Sequence, residues 1–518
     1  MHCLFRLAFV LLLVGPSLTF AQPHFRFAEP VTPARAVQVV AQQGAFPAAP
    51  ENSAAAVESC GKDYCEWAEI HVRLTKDGHH VAFRDETVDS TTDGHGRVAD
   101  LTLDELKKLD AGASFAARFA GLRILTLQQM LDVAKGKVNL FLNCQQINPK
   151  SLVDDITAMG MENQVVVFAD PTVLSQVKSA SKDAIARIAK YRPSMPFDAF
   201  VKEVSPAVVQ IDAAEVTSEL CQKFHAVGMK VQTPVLQVVP SHPEIWGKVI
   251  DAGVDWVYSD DALNLRFFDA RRRLGKFPVM IACHRGASRY APENTIPAIR
   301  EAAEIGADFA EIDIRTTKDG RTVLVHDGTV NRTTSAKGAV RDLLYDDVVA
   351  LSAGAWFGKQ FKEIRVPSFD EGLAVYGDKL GAYLDAKDVA PEILVAAIQK
   401  YHLSDRHVVY KSVEYCSKLH KLDPTVRCMP SLSSLDELDA IAAIKAYAVD
   451  AAWSVLSEES IAECHRRGIK VFSDALGANE NVEQYRKAIG WGIDCIQTDH
   501  PLRVLRAIEL VLADQPKR

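Results

Sequence analysis

At 518 residues the chain is long enough for two to four domains at roughly 100–200 residues each, or for two large α/β barrels. Apolar residues make up 48% and charged residues 24%, a globular balance that excludes disordered, collagen-like and coiled-coil chains. The net charge of −8 argues against nucleic acid as a partner, and the one dense basic run, Arg271-Arg272-Arg273, reads as a solvated helix face or linker.

The chain opens with His2 and Arg6 ahead of an apolar run from Leu7 to Val14, broken by Gly15-Pro16. Thr19-Phe20-Ala21 then offers a cleavage site before Gln22, so residues 1–21 are expected to be a signal peptide. The run is shorter than the ~20 residues of a membrane-spanning helix. Cys3 precedes it and is not placed for lipid modification. The expectation is an exported protein, periplasmic or extracellular, without a stable membrane anchor; its oligomeric state is open. Ten cysteines are present, and loss of Cys3 leaves an odd number that cannot all pair internally. Cys60 and Cys65 are close enough in sequence to bridge, but spacing alone leaves that open. Cys283, Cys428 and Cys495 sit in apolar, strand-like stretches and read as buried thiols. No Cys/His spacing suits zinc.

The chain repeats itself. Glu69-Ile70-His71-Val72-Arg73 through Lys76-Asp77-Gly78 matches Glu311-Ile312-Asp313-Ile314-Arg315 through Lys318-Asp319-Gly320, an offset of 311 − 69 = 242. The same offset aligns Pro50-Glu51-Asn52-Ser53 with Pro292-Glu293-Asn294-Thr295, and Ala111-Gly112-Ala113 with Ala353-Gly354-Ala355. A period this long means a duplicated domain rather than a solenoid. The expected copies cover residues 36–268 and 278–512.

In the second copy the predicted strands, in order, are Val279–Cys283, Phe309–Ile314, Thr322–Val325, Ala382–Leu384, His407–Tyr410, Ala446–Val449, Lys470–Phe472 and Cys495–Gln497, with a helix from Thr295 to Gly306. This alternation favours an α/β fold of two tandem TIM-type (β/α)₈ barrels, with a doubly wound open sheet as the alternative. Polar residues follow the apolar runs at strand ends, where barrel enzymes place their chemistry. His284-Arg285-Gly286 joins a candidate acid/base to a cation and a close-approach glycine. Glu311 and Asp313, at i and i+2, share one strand face in a stretch that looks buried. Two such carboxylates repel unless a proton or hard cation lies between them. His326-Asp327 supplies a second candidate acid/base.

Together these segments resemble the glycerophosphodiester phosphodiesterase family. The likeness continues through Arg332-Thr333-Thr334, Gly354-Ala355-Trp356-Phe357, Leu384-Asp385-Ala386-Lys387 and Thr498-Asp499-His500-Pro501, covering nearly the whole second copy. The resemblance implies a TIM barrel that hydrolyses glycerophosphodiesters to glycerol 3-phosphate and an alcohol with a divalent cation, Ca²⁺ or Mg²⁺. It makes His284 and His326 the acid/base pair and Glu311 and Asp313 metal ligands. Asp385 joins them where the family usually has glutamate, one CH₂ longer. Arg285 and Lys387 match phosphate-holding residues, and Glu293 lines the same pocket, against a metal or a histidine.

The first copy departs from this pattern. Gln42, Gln43, His71, Arg84, Asn143 and Gln145 stand opposite His284, Arg285, Asp313, His326, Asp385 and Lys387, while Glu51 and Glu69 survive. Amides do no acid/base work near neutral pH, and one carboxylate with a histidine is a poor hard-cation site. The first copy is therefore expected to be degenerate, the rival being a new activity on Glu69 and His71. For the whole chain the alternatives are a phosphodiesterase acting on lysophospholipids or envelope polymers, and a non-catalytic phosphodiester-binding protein.

Overall fold

The computed structural model describes residues 33–44, 48–236 and 243–514. The expected signal peptide lies outside the described residues. Among them, no helix is long and apolar enough to cross a membrane, and all nine cysteines are buried and free, Cys60 and Cys65 included.

Each copy closes into its own ring of eight parallel strands. In the first, Gln38–Ala41 pairs on one side with Trp67–Leu74 and on the other with Trp256–Ser259, closing the sheet. In the second, Met280–Cys283 does the same between Phe309–Thr316 and Cys495–Thr498. The fold is thus two tandem (β/α)₈ barrels, and an open sheet is excluded. Two details of the sequence reading change. Thr322–Leu324 is a strand but pairs antiparallel to Phe309–Thr316, outside the ring. The eighth barrel strand instead runs through Pro430, which has no N–H to give and splits it in two. Cys428–Met429 pairs with His407–Tyr410, and Ser431–Leu432 pairs with Ala448–Ala451.

Alternation along the strands decides which residues enter the barrel. Ala282, Phe309, Tyr383, Val408, Met429, Ala448, Phe472 and Cys495 form one buried cluster that plugs the second barrel. Ile281, Ile312, Leu384, Val409, Val449 and Val471, one residue out of step, belong to the outer core beneath the helices. Two residues on from the plug, on the same face, come His284, Glu311, Tyr410, Asp385, Asp450, Asp474 and Gln497. Each inward row thus runs from an apolar plug to a polar group near the C-terminal mouth. In the first barrel Trp67, Phe141, Val166, Val208 and Trp256 form the plug, with Trp67 and Trp256 ring centroids 4.4 Å apart.

The barrels share an interface rich in buried charge. Helix Ala262–Leu274 carries the basic run out of the first barrel, and the expected boundary at 268 falls inside it. The solvated reading of that run is corrected: only Arg272 is exposed. Arg271 donates to the Gly306 carbonyl and lies 4.7 Å from the Phe277 ring centroid. Arg272 pairs with Asp251 at 2.6 Å, and Arg273 with Asp269 and Glu509, both at 2.8 Å. Glu509, on the last helix of the second barrel, also takes Arg35 and Arg506 at 3.0 Å. Arg35 and Arg266 meet Glu66 of the first barrel. Burial alone would raise the Glu509 carboxyl, but Arg35, then Arg266 and Arg506, outweigh it and bring it down to about 2. A carboxyl lowered on folding contributes stability above its ordinary value of 4.5, lost as the pH falls toward 2. Glu509→Gln is expected to cost roughly 3 kcal/mol at neutral pH, because it removes the carboxylate charge that Arg35, Arg273 and Arg506 share. Thermal melts should show a Tm deficit at pH 7 that narrows on going to pH 3; a deficit independent of pH would contradict the assignment.

Candidate active site

The loop after Met280–Cys283 is shaped by backbone constraint before any side chain acts. Arg285 and Gly286 have φ of 54° and 77°. A Cβ on Gly286 would come within 2.7 Å of the Ala298 backbone, so only glycine fits. A left-handed arginine is costly and persists where surrounding contacts hold it. Here its amide donates to Glu311 Oε2 at 2.7 Å, and the Gly286 amide donates to the Glu311 carbonyl at 2.9 Å. Asn294, also left-handed at 56°, donates its side-chain amide to Asp313 Oδ2 at 2.6 Å and accepts from the Asp313 amide at 2.9 Å.

These contacts gather three carboxylates. Asp313 and Asp385 stand directly opposite each other in the strand register, and Glu311 lies two residues before Asp313. One oxygen from each of the three falls within 4.8 Å of the others, and all three residues are buried. Lys387 Nζ is 3.1 Å from Asp313 and also contacts Asp385, while Arg285 Nε is 3.7 Å from Asp313. Burial, then the charges of Asp313 and Asp385, push the Glu311 carboxyl well up. Burial would raise Asp313 too, but Lys387, Asn294, His326 and Arg285 together hold it down. An all-oxygen, like-charged, enclosed donor set fits a hard divalent cation.

Each histidine is held by a carboxylate. His284 Nδ1 is 2.8 Å from Asp499 Oδ1, which also accepts from Ser288 Oγ at 3.0 Å. His326 Nδ1 is 2.8 Å from Asp327 Oδ1. Asp327 is held far below the usual carboxylate range, chiefly by Arg332. Both imidazoles thus keep Nε2 for a ligand. Glu293 contacts neither histidine. It accepts from Arg285 at 2.9 Å and from Arg332 at 2.6 and 2.8 Å, so Arg285, Glu293, Arg332, Asp327 and His326 form one continuous chain. It is also outside the acidic cluster.

The sequence reading assigned no role to Asn294, Asp327, Arg332, Ser288 or Asp499. All but Ser288 lie in segments that carried the family resemblance, and Asp327 adjoins His326. Asp450 and Asp474, on neighbouring strands, were also missed; their inward parity was the available signal. Burial, then the Asp474 charge, pushes the Asp450 carboxyl up to about 8.

The first barrel keeps the frame with other groups in it. Gln43, Gly44 and Asn52 repeat the left-handed φ values at 55°, 82° and 53°. Glu69 accepts from Asn143 at 2.9 Å and from the Gln43 amide at 3.1 Å, with His71 Nε2 at 3.6 Å. Burial lowers the His71 imidazole, favouring its neutral form. Arg84 pairs with Glu51 at 3.0 Å. Of the three triad positions only Glu69 remains a carboxylate here, the other two being His71 and Asn143.

The model of the "Glycerophosphoryl diester phosphodiesterase family" matches the chain twice, over residues 43–263 and 284–503, one match per barrel. A glycerophosphodiester phosphodiesterase of Bacillus subtilis strain 168 is 31% identical over 249 residues, 43% of this chain and 84% of its own. One from Caldanaerobacter subterraneus subsp. tengcongensis is 29% identical over 239 residues, 44% of this chain and 97% of its own. Among solved structures, an Oleispira antarctica phosphodiesterase in complex with the product sn-glycerol-3-phosphate is 24% identical, with a TM-score of 0.38, covering 43% of this chain and 92% of its own. The protein is a phosphoric diester hydrolase. More narrowly, the chain belongs to the glycerophosphoryl diester phosphodiesterase family.

The acidic triad generates a test that needs no turnover. Glu311→Gln removes one like charge from a closed site, so without added cation the variant should melt at or above the wild-type temperature. Titration with a divalent cation should raise the wild-type Tm by ligand linkage and leave the variant unmoved. Equal cation-induced shifts in both would show that the triad is not the binding site.

Proposed function

We propose that the second barrel hydrolyses glycerophosphodiesters to glycerol 3-phosphate and an alcohol, with Ca²⁺ or Mg²⁺ as its cation and His284 and His326 as acid and base. The observation that carries this reading is the pair of imidazoles, each fixed through Nδ1 by a carboxylate, at the same barrel mouth as the acidic triad. The relatives from Bacillus subtilis and Caldanaerobacter, both glycerophosphodiester phosphodiesterases by name, agree with this substrate class.

Arg285 and Lys387 hold the phosphodiester by its non-bridging oxygens. Lys387 is pre-placed by Asp313 and Asp385, and Arg285 by Glu293. Their charges oppose the negative charge that builds up on the phosphoryl group. One histidine takes the proton from the attacking oxygen as the new P–O bond forms: water gives glycerol 3-phosphate directly, whereas the substrate's own 2-hydroxyl gives a cyclic phosphodiester that a second attack, by water, opens to the same product. The other gives a proton to the departing oxygen as the old P–O bond breaks. A cation held by Glu311, Asp313 and Asp385 supplies Lewis acidity and further charge at the phosphate. The first barrel, with Gln42 and Arg84 opposite the histidines and His71 and Asn143 opposite two of the carboxylates, does no chemistry of this kind. The protein works after export, on small soluble diesters.

The test is release of glycerol 3-phosphate from glycerophosphocholine by the full-length protein. His284→Ala and His326→Ala should each lower kcat by at least ~10²-fold, while Glu69→Gln in the first barrel leaves it unchanged. Chelation should abolish turnover and Mg²⁺ or Ca²⁺ restore it, with Zn²⁺ poorer on an all-oxygen site. Wild-type turnover in either histidine variant, or in metal-free protein, would overturn the assignment.

A further inference from the structure

The helix Ala54–Lys62 of the first barrel ends in Asp63, a carboxylate only 4% exposed that faces the second barrel. A negative charge at a helix C-terminus is unfavourable unless cations surround it. Three groups of the second barrel do so. Arg289 Nε is 3.4 Å from Asp63 Oδ2, Arg503 Nε is 3.5 Å from Oδ1, and His500 Nδ1 is 3.6 Å from Oδ1. Arg289 also donates to Ser59 Oγ at 2.6 Å, one turn back on the same helix. Burial would raise the Asp63 carboxyl, but His500, Arg289 and Arg503 outweigh it and keep it below its ordinary value, so it is charged.

Each of these three groups is one step from Asp499, the carboxylate that holds His284. Arg289 follows Ser288, whose hydroxyl donates to Asp499 at 3.0 Å. His500 is the next residue after Asp499. Arg503 donates to the Glu480 carbonyl at 2.8 Å, and the Glu480 carboxylate accepts from the Asp499 amide at 2.7 Å and from Thr498 Oγ1 at 2.9 Å. One carboxylate of the first barrel therefore ties down both loops that set the His284–Asp499 pair. The Glu66/Glu509 network elsewhere in the interface shows no such link to a histidine. The repeat makes the arrangement asymmetric: Ile305 stands opposite Asp63 at the 242-residue offset, and Pro47 opposite Arg289. Neither copy carries both halves of the contact.

We propose that Asp63 of the first barrel is a positioning residue for the active site of the second, acting through Arg289, His500 and Arg503 to hold Asp499 against His284. The degenerate barrel then completes the active site of its neighbour. This rests on the reading of His284 as a catalytic acid or base.

The test is a double-mutant cycle on the full-length protein with glycerophosphocholine and Mg²⁺. Asp63→Asn keeps the shape and removes the charge. Arg289→Met breaks the same link from the other barrel at a less buried side chain, and decides the matter if Asp63→Asn does not fold. Each should lower kcat by about 10-fold to 10²-fold, the scale of a misplaced catalytic group, with KM changed by less than about twofold. In an Asp499→Asn background neither should lower kcat further, because the residue they act through is already lost. Wild-type kcat in a folded Asp63→Asn or Arg289→Met protein would overturn the proposal, as would losses that multiply with that of Asp499→Asn. Wild-type kcat in His284→Ala and Asp499→Asn would instead remove the catalytic reading on which the proposal stands.

Discussion

The two-residue period of a strand, closed into a ring, is the constraint on which the rest of this structure depends. A ring has no free edge, so every second residue points into a space too narrow for water and must fill it. Phe309, Tyr383 and Phe472 do this with carbon. At the C-terminal end the same rows emerge into the mouth, and the next inward residues are Glu311, Asp385 and Asp474. Their convergence follows from the fold. What the sequence chooses is their chemistry, and placing the carboxylates of Glu311, Asp313 and Asp385 within 4.8 Å of one another in a buried site is unfavourable for folding alone. Asn294, Lys387, Arg285 and the Arg285 amide share that charge, which offsets the cost.

The first barrel shows the same constraint with the charge removed. Its left-handed residues, plug and inward rows are retained, yet His71 and Asn143 replace Asp313 and Asp385. Glu69 is then satisfied by Asn143 and the Gln43 amide, and Arg84 neutralises Glu51. With two of the three carboxylates replaced, this frame holds less of the repulsion found in the second barrel. Two matches to one family model in one chain therefore do not mean two equivalent sites.

Much of this was legible in the sequence because it is local. A carboxylate pair at i and i+2, a histidine after an apolar run and a 242-residue offset are patterns along the chain, and they pointed to the two barrels and to carboxylates that the fold gathers. The errors arose where pairing partners are distant. Thr322–Leu324 has strand composition, but its partner makes it one arm of a hairpin. The strand around Pro430 pairs with different neighbours through its two halves, which no local pattern records. Asp499 is 215 residues from His284, and Glu293 finds Arg332 39 residues away. The same limit explains the basic run: the reading as a solvated face is the right default for three arginines in a row, but Gly306 and Glu509 are brought to them by the second barrel, while Asp269 sits one turn back on their own helix.

Duplication gives a chain two copies of one surface, and divergence can then make the copies complementary. Asp63 exists only in the first copy and Arg289 only in the second, so two equal barrels could not make their contact. Glu509 likewise gathers arginines from both sides of the junction, Arg35 and Arg273 from one and Arg506 from the other. Buried ion pairs of this kind add little stability compared with apolar packing, because desolvation offsets most of their attraction. What they do well is penalise every arrangement in which a charge loses its partner, which fixes how one barrel sits on the other. A rigid junction is required if loops at the edge of one barrel are to be held by a side chain from the next, since a catalytic group displaced by about 1 Å loses much of its effect. The charged interface and the altered first barrel are then two sides of one arrangement, in which a scaffold with His71 and Asn143 where its neighbour has carboxylates places Asp63 against that neighbour.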